Sequence, residues 1–160
     1  AINKTDYYAI LDADDIYYKD KVLELVNTAI QSDNIGVVYA DYDTINVESG
    51  VKNREYKEPF SITRLHNECI VHSGALIKAQ ALIDVKERTG FYDANLRCAE
   101  DYDLWLRISE KYMIIHVPKS LSLVRIHQQN STFSVNKTVW ENCWARVAHK
   151  FRERNNVISH

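Results

Sequence analysis

A chain of 160 residues is the size of one domain and is long enough to bury a real core. Hydrophobic residues at 46% and charged residues at 26% are those of an ordinary globular protein, and four Gly with two Pro leave no room for a long flexible linker. The net charge of −2 gives no broad basic field, so no nucleic-acid partner is expected.

Tyr7–Leu11 reads as a buried strand, followed at once by Asp12, Asp14 and Asp15. A helix is expected over about Lys19–Ser32, capped by Asp15 or a neighbour, with Val22, Leu23, Leu25, Val26 and Ile30 on its apolar face. Ile35–Tyr42 is rich in β-branched and aromatic residues and reads as a second strand. Asp41–Lys52 continues it into a hairpin turning at Glu48-Ser49-Gly50, and Asn53–Pro59 reads as an exposed loop. Ser61–His66 fits one helical turn, Ile70–Lys78 is a third apolar stretch, and Ala79–Arg88 is a helix stopped by Thr89-Gly90. Ala99–Tyr112 is a helix; Met113–Val117 and Leu121–Ile126 are strands split by a turn at Pro118-Lys119. The tail, Val135–Arg154, is an amphipathic helix with Trp140, Cys143, Trp144, Val147 and Phe151 on one face. Mixed strands and helices with a β–α–β succession predict one α/β domain.

Three cysteines, Cys69, Cys98 and Cys143, form an odd, scattered set, which favours free thiols in a reducing compartment. No CxxC pair or Cys/His cluster points to zinc. No run reaches membrane-spanning length and no signal peptide opens the chain, so the cytoplasm, including the inner membrane surface, is the expected location. Three Asn-x-Ser/Thr triplets, at Asn3, Asn130 and Asn136, then read as chance matches.

Three polar clusters carry the chemistry. Charge at the end of an apolar strand is costly unless something pairs with it. Asp12 and Asp14 at a strand end are suited to a hard divalent cation that keeps positions open for phosphate oxygens. The competing reading is an acidic turn that caps the next helix. In the second cluster, helical geometry places Leu104, Trp105 and Ile108 within about 60° of Asp101, on the inward stripe, and turns Asp103 the opposite way, with Glu100 to the side. An inward carboxylate at a helix start is a candidate base; a cap, or a partner for Arg97, is the plainer role. In the third, strand alternation puts Arg125 and His127 on one face at the strand end, able to complete a metal site or bind phosphate. The plainer role is a hydrogen-bonding histidine. Ser131 and Thr132 follow in a polar loop.

In order and spacing, Tyr7–Asp15, Gly90-Phe91-Tyr92-Asp93 with Ala99–Arg107, and Arg125-Ile126-His127 with Ser131 resemble the second half of a family 2 glycosyltransferase of the GT-A fold. The resemblance implies a partial GT-A-like mixed sheet flanked by helices, and inverting sugar transfer from a nucleotide-sugar donor to a glycan or lipid-linked sugar acceptor. It implies Mn²⁺ or Mg²⁺ at Asp12 and Asp14, with Arg125 and His127 near the metal and diphosphate. The general base falls on Asp101, with Glu100 beside it. His72 and Ser73 are placed on the acceptor side by position.

The family's nucleotide-binding half precedes the Asp-x-Asp strand, and only six residues precede Tyr7 here. The chain is therefore expected to be part of a longer glycosyltransferase, weakly active or inactive alone, with exposed edges that favour a homo-oligomer. Two rivals stand beside this reading. One is a binding or scaffold module with a transferase-like shell. The other is a haloacid-dehalogenase-like phosphatase in which Asp12 attacks phosphate and Asp14 handles the proton.

Overall fold

A computed structural model describes residues 5–72, 74–130 and 135–157. Among them, six strands form one mixed sheet: β1 (Tyr7–Ala9), β2 (Ile16–Tyr17), β3 (Ile35–Asn46), β4 (Lys52–Glu55), β5 (Leu76–Lys78) and β6 (Met113–Ile126). Five helices accompany them: α1 (Lys21–Ala29), α2 (Ile62–Leu65), α3 (Ala79–Thr89), α4 (Glu100–Ser109) and α5 (Lys137–Val157).

The long strands β3 and β6 lie side by side, parallel, at the centre of the order β1-β5-β3-β6-β2. The other side of β3 carries β5 along its first half and β4 along its second, both antiparallel. Strand β1 is antiparallel to β5, so β1, β3 and β6 all point the same way. Side-chain alternation along β3 sends Val37 and Tyr39 to one core and Val38 and Ala40 to the other. The first core packs under α3, α4 and α5, around Trp105 and Ile108; the second packs under α1, around Leu25 and Ala29. A strand covered on both faces reads as a nearly unbroken apolar run, as Ile35–Ala40 does. Gly36 lets β3 pass the end of α4: a Cβ there would sit 2.5 Å from the Tyr112 Cβ.

The sheet agrees with the predicted α/β class and departs from the predicted elements in several places. Tyr7–Leu11 is not a buried strand. It shortens to β1, whose one partner among the described residues is β5, and Leu11 is 50% exposed. The two-residue strand β2 escaped prediction because its pairing with Ser122 and Leu123 is purely long-range. Helix α1 is not capped by Asp15; Asp20 holds the N-cap position without a side-chain cap bond. Its buried stripe is Lys21, Leu25 and Ala29, while Val22, Leu23 and Ile30 face outward, because the helix meets the sheet along one narrow line. Residues 52–55 are strand rather than loop; their polarity reflects the exposure of β4 at the rim. The turn predicted at Pro118-Lys119 is instead a bulge inside one continuous strand: Ala40 pairs with Val117 and Asp41 with Ser120. A bulge is where a sheet tolerates the missing proline donor.

The tail helix matches expectation, with Cys143 and Val147 buried and Trp140, Trp144 and Phe151 packed against the same core. It changes the surroundings of α4, however. Residues Tyr102 to Ile108 are all buried, so the direction opposite Asp101 is a second interior rather than solvent. Asp103, turned that way, is completely buried.

Candidate active site

The carboxyl ends of β1, β3 and β6 open at one edge of the sheet, the usual place for ligands in α/β folds. A cleft of about 670 Å³ lies there. Asp12, Asp14 and Asp15 reach it from the loop after β1, and Glu100 and Asp101 from the start of α4. Two of the three predicted clusters thus share one cavity.

The third cluster supports this cavity from the side. The His127 Nε2 lies 2.8 Å from the Asp14 Oδ2, and the Asn130 side-chain amide donates to the same oxygen at 3.3 Å. The Arg125 guanidinium donates to the Asp14 carbonyl at 2.7 Å, and the Arg125 amide donates to the Asp15 carboxylate at 3.1 Å. Arg125 and His127 lie together, as alternation predicts, and both reach the acidic loop without lining the cleft themselves. The loop is pinned from other directions too. The Asp15 amide donates to the Asp12 carbonyl at 3.1 Å, and the Tyr17 hydroxyl donates to the Ile10 carbonyl. Beneath it, the buried Lys21 ammonium lies 4.0 Å over the Tyr17 ring and 3.3 Å from the Ser122 hydroxyl. Burial pushes Lys21 down to about 8, while the Asp15 and Asp12 carboxylates oppose that fall.

Two carboxylates in this cleft are tuned in opposite directions. The hydrogen bond from His127 holds Asp14 below the ordinary carboxylate range, with Arg125 adding to the effect. Burial holds Asp101 above that range; Glu100 and Asp12 add to the rise, and the Tyr102 amide, donating to Oδ1 at 2.7 Å, opposes it. The Tyr102 bond lies inside the first turn of α4, whose N-cap position, Ala99, has no side-chain cap bond. Ala99, just before the pair, has φ 60°. Left-handed backbone is unfavourable for a residue with a Cβ, and such strain tends to gather at functional sites.

Among the described residues, no group of three or more His, Cys, Asp or Glu side chains is arranged to hold a metal ion. The carboxylate and imidazole that come together are those of Asp14 and His127, 2.8 Å apart. Six carboxylates line the cleft against Lys57 and Arg97.

His72 is in the cleft wall, packed at a tilt against Tyr42 with ring centroids 4.3 Å apart. Burial pushes its imidazole down to about 3, so it is neutral, and its Nδ1 accepts the Gly74 amide at 3.0 Å. Ser73, Ser131 and Thr132 lie outside the described residues. Sequence reasoning did not assign Lys57, Tyr92 or Trp140 to this cleft, and it treated Asp15 only as a cap and Arg97 only as a partner. Asp15 was visible as the third carboxylate of its run. Nothing local marks Trp140, which comes from a helix more than a hundred residues after β1.

No family model matches the chain. It is 27% identical over 167 residues to an uncharacterised glycosyltransferase of Rickettsia prowazekii, and 28% identical over 170 residues to one of Rickettsia typhi. Each match covers 97% of this chain and 51% of the relative. A third, from Rickettsia bellii, is 28% identical over 130 residues, covering 79% of this chain and 18% of the relative. The chain spans about half the length of the first two, and over nearly all of its own length it is similar to proteins named glycosyltransferases.

Proposed function

We propose that the protein containing this chain transfers a sugar from a nucleoside-diphosphate donor to an acceptor hydroxyl, with inversion at the anomeric carbon. The observation that carries the reading is one cleft that brings together Asp12 and Asp14 from the loop after β1 and Glu100 and Asp101 from the start of α4, with the His127 Nε2 2.8 Å from Asp14. Asp14 and His127 would hold Mn²⁺ or Mg²⁺, with Asp12 beside them toward the diphosphate and ribose. Such an ion supplies positive charge against the departing diphosphate.

The chain's own residues do the rest. Arg125 fixes the Asp14 main chain, and its amide holds Asp15, so the acidic loop keeps its shape as charge moves within the cleft. Asp101 accepts the acceptor hydroxyl proton as that oxygen attacks from the side opposite the leaving group. Attack from that side inverts the configuration and forms no covalent bond to the enzyme. Glu100, exposed beside Asp101, raises its basicity electrostatically and is placed to orient the acceptor. The partner molecules are a nucleotide-sugar and a glycan or lipid-linked sugar. No helix among the described residues is long and apolar enough to cross a membrane.

The test is calorimetric titration of UDP and GDP with Mn²⁺ into the full-length protein, its Asp14→Ala variant and the chain alone. Binding that requires Mn²⁺ and is lost in Asp14→Ala supports the assignment. Equal binding by the variant, or binding indifferent to Mn²⁺, removes the diphosphate from the Asp14 end.

A further inference from the structure

Resting on the transfer reading, we infer that Tyr92 and Trp140 form the acceptor subsite and that the acceptor is an uncharged sugar. Three aromatic side chains line the cleft: Tyr42, Tyr92 and Trp140. The Tyr42 ring is already covered, by His72 at 4.3 Å and by the Lys57 ammonium at 5.4 Å. Tyr92 and Trp140 have no ring or cation contact among the described residues. Tyr92 is 56% exposed, a large apolar surface left open on the loop that leads to Glu100 and Asp101. Burial disfavours the Tyr92 phenolate, and the Glu100 and Asp101 carboxylates add to that effect. Trp140 enters from the first turn of α5 and is only partly buried.

An open aromatic face next to carboxylates is what a pyranose needs. The C–H face of the ring stacks on the aromatic plane, and the equatorial hydroxyls donate to carboxylate oxygens. Such a surface removes apolar area from water without requiring charge on the ligand. Charge decides the class further. Six carboxylates line the cleft against one lysine and one arginine, so an acceptor bearing its own carboxylate or phosphate near the reacting hydroxyl is repelled.

The experiment follows nucleotide release by the full-length protein with Mn²⁺ and a panel of UDP- and GDP-sugars. Release is measured without acceptor, with p-nitrophenyl β-glucoside, and with p-nitrophenyl β-glucuronide, which differs by one carboxylate. The glucoside is expected to stimulate release about tenfold more than the glucuronide, and Tyr92→Ala and Trp140→Ala each to raise the acceptor KM by about tenfold. The signature of a subsite is a rise in acceptor KM that outweighs any fall in kcat, and Tyr92→Phe, which keeps the ring, is expected to raise that KM less than Tyr92→Ala does. Tyr92→Ala alters an exposed position, so it remains informative if Trp140→Ala misfolds. Equal or better stimulation by the glucuronide, stimulation by neither glycoside, or an unchanged KM in Tyr92→Ala overturns the subsite. Absence of nucleotide release with every donor overturns the transfer reading itself, and the subsite with it.

Discussion

Asp101 and Asp103 stand two residues apart on one helix and belong to two different interiors. Asp101 borders a cleft, with backbone amides as donors and other carboxylates for neighbours. Asp103 is completely buried and is matched by cations: the Arg107 guanidinium at 2.9 Å and the Lys150 ammonium at 3.3 Å. The same side chain at the same depth of sequence is uncompensated on one side of α4 and neutralised on the other. Neutralised charge serves the fold, and uncompensated charge held in place is available for chemistry.

Removing the charge on the cleft side should cost activity and spare the fold. In the full-length protein, Asp101→Asn is expected to lower kcat by about 10²–10⁴-fold, the usual worth of a positioned base. The asparagine oxygen can still accept the Tyr102 amide, so thermal stability should match or exceed wild type. Wild-type kcat/KM should fall as pH drops through the raised Asp101 pKa, above the ordinary carboxylate value of about 4. Steady-state kinetics across pH, with a melting curve for each protein, checks both statements; comparable losses of activity and stability would erase the contrast with Asp103.

The opposite substitution should cost stability. Asp103→Ala leaves Arg107 and Lys150 without their buried carboxylate, a loss of about 3–5 kcal/mol for this class of change, read by urea unfolding. Arg107 also donates to the Gly90 and Phe91 carbonyls at 2.7 and 2.6 Å. The network therefore anchors the loop that carries Tyr92, and activity should fall in step with folding rather than ahead of it. A loss below about 1 kcal/mol would mean that the surrounding helices hold α4 without the ion pair.

The two faces of α4 also differ in how well the sequence reveals them. Hydrophobic periodicity gave the direction of Asp101, because Leu104, Trp105 and Ile108 follow it around one stripe. The same pattern assigned Asp103 to the outside, since periodicity records one packing partner and α5 is a second one far along the chain. The converse holds at β1. Its apolar run suggested a covered central strand, yet coverage depends on neighbours that local sequence does not specify, and Leu11 is half exposed. The acidic loop was legible because three carboxylates in four positions are unusual in any setting. Strand alternation put Arg125 and His127 on one face, and only the family resemblance brought that face to the acidic loop. The bulge at Pro118, the pairing of β2 and the arrival of Trp140 at the cleft are all long-range facts, and none leaves a local signature.

The smallest effect contrasts the cleft carboxylate with Asp93, which joins the buried side of α4 through Lys150. The Lys150 ammonium lies 3.2 Å from Asp93 and 3.3 Å from Asp103, and the Arg146 guanidinium lies 2.6 Å from Asp93. That hydrogen bond from Arg146, together with others from Asn95 and Lys150, holds Asp93 well below the ordinary carboxylate range. The unfolded chain then binds the Asp93 proton more readily, so this group stabilises the fold above about pH 4 and loses that effect as pH falls toward its depressed value. Asp101 has the reverse sign. Its folded pKa is raised, so the folded chain binds the proton more readily, and stability declines as pH rises from about 4 through the raised value. Urea unfolding of wild type, Asp93→Asn and Asp101→Asn across this range should give difference curves of opposite slope. Wild type gains on Asp93→Asn with rising pH, and Asp101→Asn gains on wild type. Parallel curves would place both carboxylates in equivalent surroundings and dissolve the division of α4 into a structural face and a chemical one.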